Sequence, residues 1–585
     1  MTRHPLTTKI SNSTTIRQTL NPAAMSTQNA PLLSPIEVLN RYPSHDGTLA
    51  QAFKSRVALL GDQPFMWQDG QESSWAQCAR QIEDLSLWLL SQNVGAQSRV
   101  GIMARNHSTH VLLLFALANI QAVMVPINPE FGMEETRYVL EHAQLRWVLV
   151  DAHASSSFFE ACESLPVDLR PMAWSIESDA SRVPDLPTLL DAVGAHARPR
   201  QEPSEQQQLQ ALHTLAQQTR GEHTCLIIYT SGTTGFPKGV MHSQRSFLLG
   251  GEAFVERMYL QPTDRLMIVL PFFHMNALFY SLAGGLACGG SIAIMPRFSA
   301  SSFWQQAVQS QSSIVNLIDA ACQILKQRPR HEYLGEHRLR AAYGVRHTAW
   351  TAFKDEFHIP HLVSGYGMTE IPGVTCSPFT GLQKPGTMGP VGKHPDARLE
   401  WARCKVVNAS GEEVGPHQVG EMWVKTPIIM QGYFRDPVQT AQQFVDGWFK
   451  TGDLVSVDED GYYTFVSRKN DIIRRRGENI SGAELDRVIA QHPHVADVAV
   501  IAVPAELGED DIMAVVVRKA HEQLSAQAVA QWCRERLASS KVPRYVVFVE
   551  EIPYTPTHKV AKSVLRNDPT LLGQATDLGG WRAPP

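Results

Sequence analysis

The apolar run Leu226-Ile227-Ile228-Tyr229 leads straight into Thr230-Ser231-Gly232-Thr233-Thr234-Gly235-Phe236-Pro237-Lys238-Gly239. The first four residues read as a short buried strand. The ten residues from Thr230 to Gly239 hold four hydroxyls, three glycines and a lysine. Glycines let backbone N–H groups approach an anion, hydroxyls donate further hydrogen bonds, and a lysine supplies a point charge, which together suit a polyphosphate. The order differs from a Walker loop, where Gly-Lys-Ser/Thr opens a helix; here Pro237 precedes Lys238 and Gly239 comes after it. A plain polar turn would explain the glycines and leave the hydroxyls and the lysine without a reason.

Working outward, apolar runs at Val100–Met103, Ala122–Ile127 and Trp147–Val150 alternate with a helical pattern at Ser108–Ile120. Such alternation predicts an α/β fold built on mostly parallel sheets flanked by helices. After about Asp471 short strands at Val495–Val503, Met513–Val517 and Tyr545–Val549 surround a helical stretch at Ala526–Leu537. They predict a small α+β domain. The expected division is a tail over 1–36, a large body over 37–469, a small domain over 470–570 and a tail over 571–585. The segment from His196 to about His223 has few large apolar residues and reads as a surface excursion.

At 585 residues the chain has room for about four domain-sized units. Subtracting 57 acidic from 52 basic side chains leaves a net charge of -5, so no global positive field points to nucleic acid. Eight dispersed cysteines without a CxxC pair predict reduced thiols and a cytoplasmic setting. The uncharged stretch Leu266–Pro296 is broken by Pro271, Gly284-Gly285 and Gly289-Gly290, which predicts a buried helix, a turn and a strand in place of a membrane span. The pairs His358/His361 and His492/His494 lack the further ligands of a structural metal site.

Four further segments come after the loop in order: Gly365-Tyr366-Gly367-Met368-Thr369-Glu370, Thr451-Gly452-Asp453, Ser467 to Glu478, and Pro553 to Lys559. Alone, Thr451-Gly452-Asp453 fits a turn and Arg468-Lys469 a solvated patch. With Thr230 to Gly239, however, the set resembles the adenylate-forming superfamily in its acyl-CoA synthetase branch, over about Leu39 to Arg566. The resemblance implies an ATP-dependent acid–thiol ligase. Such an enzyme makes an acyl-adenylate with release of pyrophosphate, then an acyl-CoA with release of AMP. ATP, Mg²⁺, coenzyme A and a small carboxylic acid are the implied partners, and a homodimer is compatible with it. Two alternatives share the motifs: an acyl-AMP ligase that loads a carrier-protein thiol, and a luciferase-like oxidoreductase.

Residue by residue, the resemblance implies that Thr230, Ser231, Gly232, Thr233, Thr234, Gly235 and Lys238 hold the departing phosphates. Thr369 would bond the α-phosphate, Glu370 ligate Mg²⁺, and Tyr366, beside Gly367, stack on adenine. Asp453 would accept from both ribose hydroxyls, with Arg468 beside it. His274, in Pro271-Phe272-Phe273-His274, matches an aromatic gate between acyl pocket and nucleotide. Lys559 would reach the carboxylate during adenylation, preceded here by His558 where the family usually has Gly. Asn470 falls at the hinge, where Asp or Lys is usual. Gly477 would let a pantetheine arm pass, and Arg474, Arg475 and Arg476 are candidates to grip the phosphates of coenzyme A. In Ala341-Ala342-Tyr343-Gly344-Val345-Arg346, either Tyr343 or Arg346 would shape the acyl pocket.

Overall fold

Strands alternating with helices assemble into two seven-stranded sheets. In the computed structural model, which describes residues 31–196, 203–230, 237–475, 478–505, 510–537, 539–554 and 560–579, the first sheet runs Gly432–Tyr433, Lys238–Ser243, Thr224–Thr230, Val123–Ile127, Arg99–Met103, Trp147–Val150, Met172–Ser175. Its last five strands are mutually parallel, and Lys238–Ser243 turns back antiparallel on Thr224–Thr230. The second sheet runs His361–Val363, Ala341–Tyr343, Ile314–Asn316, Arg265–Ile268, Ser291–Ile294, Pro64–Gln68, Gln71–Ser74, parallel except for the final hairpin. The α/β reading therefore holds. The helix Ser108–Asn119 is apolar nearly all round because it is enclosed, with Leu113, Leu114 and Leu117 fully buried.

The stretch Leu266–Pro296 divides as its prolines and glycines demand. Arg265–Ile268 is a strand, Asn276–Leu282 a π-helical run continuing into the helix Ala283–Cys288, and Ser291–Ile294 a strand. Gly289 ends the helix at φ +69°, and a Cβ there would fall 1.8 Å from the Tyr42 hydroxyl. No helix among the described residues is long and apolar enough to cross a membrane.

A third sheet is antiparallel: Arg403–Val407, Gly420–Lys425 and Trp448–Val457 in order, with Phe444–Val445 and Tyr463–Arg468 both paired to Trp448–Val457. One tight turn, Lys469–Asp471, separates Tyr463–Arg468 from the hairpin Ile472–Arg475 and Glu478–Ser481. The last sheet orders Val495–Pro504, Asp510–Arg518, Tyr545–Val549 and Thr576–Asp577, with the helix Ala526–Arg534 buried against it through Val529, Ala530 and Cys533.

Three expectations need correction. The segment after His196 contains a helix, Pro203–Gln217, whose Leu212 is buried in the main core. The stretch read as a tail from 571 carries Leu571 and Leu578 into the small domain's cores and adds a strand to its sheet. At the other end, the helix Pro35–Leu39 starts inside the stretch read as a tail, with Pro35 and Val38 buried. All eight cysteines are free thiols. The histidine pairs pack as rings: His361 stacks on Phe379 at 4.3 Å and His492 meets Trp532 at 4.8 Å.

Candidate active site

The hydroxyl-rich segment is flanked by two antiparallel strands, Thr224–Thr230 and Lys238–Ser243, in which Thr230 and Lys238 are cross-strand partners at one end of the first sheet. Ser231, Gly232, Thr233, Thr234 and Gly235 lie outside the described residues. Lys238 projects toward the ring of Tyr433, 5.4 Å from its centroid. The Tyr433 hydroxyl donates to Oε1 of buried Glu370 at 2.8 Å. Burial first, and the Glu370 carboxylate second, push the Tyr433 phenol far above its usual range, which keeps it a donor. The second oxygen of Glu370 accepts no hydrogen bond among the described residues, a donor set that suits Mg²⁺ shared with phosphate oxygens.

Glu370 and Thr369 occupy the turn of a second hairpin, Gly365–Met368 with Ile371–Cys376. Its two strands approach so closely that a Cβ on Gly367 would sit 2.4 Å from the backbone nitrogen of Gly373. The Thr369 carbonyl accepts from Nε2 of His242 at 2.7 Å, and the Ser246 hydroxyl lies 3.4 Å from Nδ1. Full burial lowers the His242 pKa to about 4. The ring is therefore neutral at pH 7 with its proton on Nε2, a fixed donor beneath the turn.

On the first strand of that hairpin, the Tyr366 hydroxyl donates to Oδ2 of Asp453 at 2.6 Å. Burial, and then the adjacent carboxylate, hold this phenol well above its usual range. Asp453 is 2% exposed; Arg468, its cross-strand partner, brings Nε to 3.3 Å from Oδ1. The Thr451 hydroxyl caps the Asp453 amide at 3.0 Å, and the Gly452 amide donates to Glu421, which also pairs with Lys469 at 3.0 Å. Two runs of contacts thus meet on this hairpin, Lys238–Tyr433–Glu370 at its turn and Tyr366–Asp453–Arg468 on its first strand, drawing on three sheets.

His274 stands half-buried at the head of the π-helical run, its ring 4.5 Å from Phe273. Asn106 holds that corner in place: its amide donates to the Leu270 carbonyl at 2.9 Å and accepts from the Phe272 amide at 2.8 Å. Tyr343 is buried against Tyr280 and Phe254, whereas Arg346 is exposed and faces Asp319 at 3.6 Å. Arg475 is already engaged: its side chain, 11% exposed, pairs with Asp511 at 2.8 Å and donates to the Val542 carbonyl at 2.7 Å. Asn470 lies in the turn Lys469–Asp471; Gly477, Arg476, His558 and Lys559 lie outside the described residues. Tyr433, His242 and Asn106 were missed by sequence reasoning. Only Tyr433 left a signal, an aromatic after Gly432.

Residues 50–434 match the family model described as AMP-binding enzyme, and 484–559 match the AMP-binding enzyme C-terminal domain. The chain belongs to the AMP-binding enzyme family. Within that family it lies in the acyl-CoA synthetase branch of the adenylate-forming superfamily, as an AMP-forming acid–CoA ligase that draws on ATP, Mg²⁺ and coenzyme A. It is 28% identical to a sulfoacetate–CoA ligase of Cupriavidus necator over 89% of this chain and 97% of that protein. A feruloyl-CoA synthase of an Amycolatopsis species is 29% identical over 85% and 94%. Among solved structures, ATP-bound MatB of Rhodopseudomonas palustris superposes with a TM-score of 0.71 at 24% identity, covering 88% of this chain and 98% of MatB. A Mycobacterium tuberculosis fatty acyl CoA synthetase gives 0.66 at 25% identity over 89% and 98%.

Proposed function

We propose that this ligase activates a small carboxylic acid in two steps within one cleft. A carboxylate oxygen attacks the α-phosphorus of ATP and the bond to pyrophosphate breaks. The thiol of coenzyme A then attacks the acyl carbon of the adenylate and AMP leaves. The observation that carries this reading is the pair of contact runs Lys238–Tyr433–Glu370 and Tyr366–Asp453–Arg468, joined by the one hairpin Gly365–Met368 with Ile371–Cys376, which sets a cation, a metal-type carboxylate and a buried ribose-type carboxylate in the order of a nucleotide's parts.

In this reading Lys238 and the hydroxyls of Thr230, Ser231, Thr233 and Thr234 neutralise the departing phosphates, a fixed electrostatic arrangement needing no reorganisation during reaction. The glycines Gly232 and Gly235 let the backbone close on them. Thr369, fastened from below by His242, bonds the α-phosphate. Glu370, oriented by Tyr433, holds Mg²⁺, which would spread the charge that accumulates on the phosphate oxygens. Asp453 takes the ribose hydroxyls, pinned by Tyr366 and Arg468, while Gly367 leaves room for the ring of Tyr366 against adenine. His274 gates the acyl side.

We place the division between body and lid at Asn470, because Arg468 ends the third sheet and Ile472 begins the next hairpin, with a single turn between. Rotation there would carry Lys559 into the cleft for adenylation and Gly477 into it for thioester formation. Separating the partial reactions tests the scheme. Lys559→Ala is expected to slow pyrophosphate release by about 10²–10³-fold, the cost of removing one positioned charge, while acyl-CoA still forms from preformed acyl-adenylate and coenzyme A. Equal loss in both reactions refutes the assignment. Acyl-CoA formation also separates this reading from carrier-protein loading.

A further inference from the structure

One interior cation forms no ion pair among the described residues. Arg257, near the end of the helix Gln244–Met258, is 2% exposed. Its Nη2 donates to the Gly373 carbonyl at 2.7 Å, while Nε and Nη1 have no well-aligned acceptor among the described residues and find only the neutral Tyr280 hydroxyl and Cys376 thiol within reach. The ionisable neighbours are the phenols of Tyr280 and Tyr343 and the thiol of Cys376. Burial pushes all three above their ordinary values, so they are neutral at pH 7. The guanidinium carbon lies 5.5 Å from the centroid of Tyr280, which stacks on Phe254 at 4.9 Å and meets Tyr343 at 5.2 Å. A guanidinium keeps its proton throughout the accessible pH range, so this cluster holds an uncompensated positive charge. Burying such a charge is strongly unfavourable unless an anion joins it.

Its position says what that anion belongs to. Gly373 is on the strand paired with the Tyr366 strand, and its missing side chain makes the room, for a Cβ there would fall 1.9 Å from Nη1 of Arg257. A Cβ on Gly367 would lie 3.1 Å from the Tyr280 hydroxyl. Tyr280 is on the π-helical run that starts two residues after His274, and Tyr343 ends the strand Ala341–Tyr343. The cluster therefore backs the same hairpin whose turn carries Thr369 and Glu370. Gly367 is two residues from Thr369, roughly 7 Å along a strand, a distance that a short acid with its reacting carboxylate at Thr369 can span.

We infer that Arg257, with the hydroxyls of Tyr280 and Tyr343, is the counter-charge for a second anionic group on the substrate, and that the preferred acids are short and carry a carboxylate or sulfonate at the far end. This rests on the ligase reading proposed for the site. The test measures pyrophosphate release with ATP, Mg²⁺ and coenzyme A for straight-chain acids matched in length. Each length is tried with a methyl, a carboxylate and a sulfonate terminus, on wild type, Arg257→Lys and Arg257→Met. The wild-type kcat/KM should favour an anionic terminus by about 30-fold or more, the scale of one charge-assisted hydrogen bond. Arg257→Lys should keep part of that ratio and Arg257→Met should bring it close to one; the carboxylate and sulfonate arms distinguish the two termini. A wild type that prefers methyl termini overturns the inference even if Arg257→Met fails to fold, and so does a substitution that leaves the ratio unchanged. Pyrophosphate release with other acids alone leaves the ligase reading standing and this inference refuted, whereas release with no acid across a broad carboxylate panel defeats the ligase reading itself.

Discussion

Asp453→Asn probes the nucleotide end of the site with little change of shape. The carboxylate is 2% exposed and meets Tyr366 at 2.6 Å and Arg468 at 3.3 Å. After the substitution the Tyr366 hydroxyl can turn to accept from the new amide, and Arg468, with its side chain 45% exposed, is solvated by water. The expected stability cost is therefore about 1 kcal/mol, one ordinary hydrogen bond. ATP should lose more. Two ribose hydroxyls donating to a carboxylate make charge-assisted bonds of about 1.5–3 kcal/mol each. An amide oxygen replaces that pair imperfectly, so the loss is about 2–4 kcal/mol, or roughly 30–1000-fold in affinity. The assay compares ATP with 2′-deoxy-ATP on both enzymes by pyrophosphate release. Wild type should discriminate by about 10–100-fold, since one charge-assisted bond is at stake, and Asp453→Asn by far less, because both perturbations remove the same interaction. If Asp453→Asn keeps the wild-type ratio between the two nucleotides, Asp453 does not bind the ribose and the reasoning fails.

Two further outcomes concern stability. His242 and His110 have pKa values lowered by burial to about 4 and about 3, below the unfolded value near 6.5. The unfolded chain binds these protons first, so stability is fully present above pH 6.5 and falls by several kcal/mol as pH drops toward 4. Denaturant midpoints measured across that window should show the fall, and a flat profile between pH 6.5 and 4.5 would contradict it. Gly289→Ala should destabilise more than Gly70→Ala, although both glycines have positive φ, +69° and +81°, because only the first Cβ meets a neighbour, the Tyr42 hydroxyl. Backbone strain alone costs about 1 kcal/mol, and the overlap adds about 1–3 kcal/mol; equal unfolding midpoints would show that the Tyr42 side chain yields freely.

What could be read from the chain, and what could not, divides along physical lines. Glycines beside hydroxyls and a lysine are an unusual combination with few structural excuses, so Thr230 to Lys238 stands out, whereas Thr369-Glu370 and Asp453 were legible only through the resemblance of the ordered set of motifs. Hydrophobic alternation likewise placed the parallel strands within a residue or two at Arg99–Met103, Val123–Ile127 and Trp147–Val150. The groups that hold these residues are drawn from ordinary core types. Tyr433 reaches Glu370 across 63 residues, His242 reaches Thr369 across 127, and Asn106 reaches Leu270 across 164. No local pattern encodes such pairings. The helix Pro203–Gln217 was missed because its sequence is mostly polar and, of its described side chains, only Leu212 is deeply buried.

Burial and sequence distance also explain why the arginines misled in both directions. Arg474 to Arg476 form a run that invites a phosphate, yet Arg475 is spent on Asp511, an acid that sequence distance conceals. Arg346 sits in a segment matched to the acyl pocket, yet Gly344, at φ +84°, turns the chain after Tyr343 and Arg346 lies exposed. Arg257 lies inside an amphipathic helix where a charge reads as a solvated face. Its significance follows only from being buried without an ion pair, a property of the fold and of no motif. The motifs that carry activation chemistry are therefore legible in the sequence, whereas the acid proposed for this ligase rests on a burial that only the fold reveals.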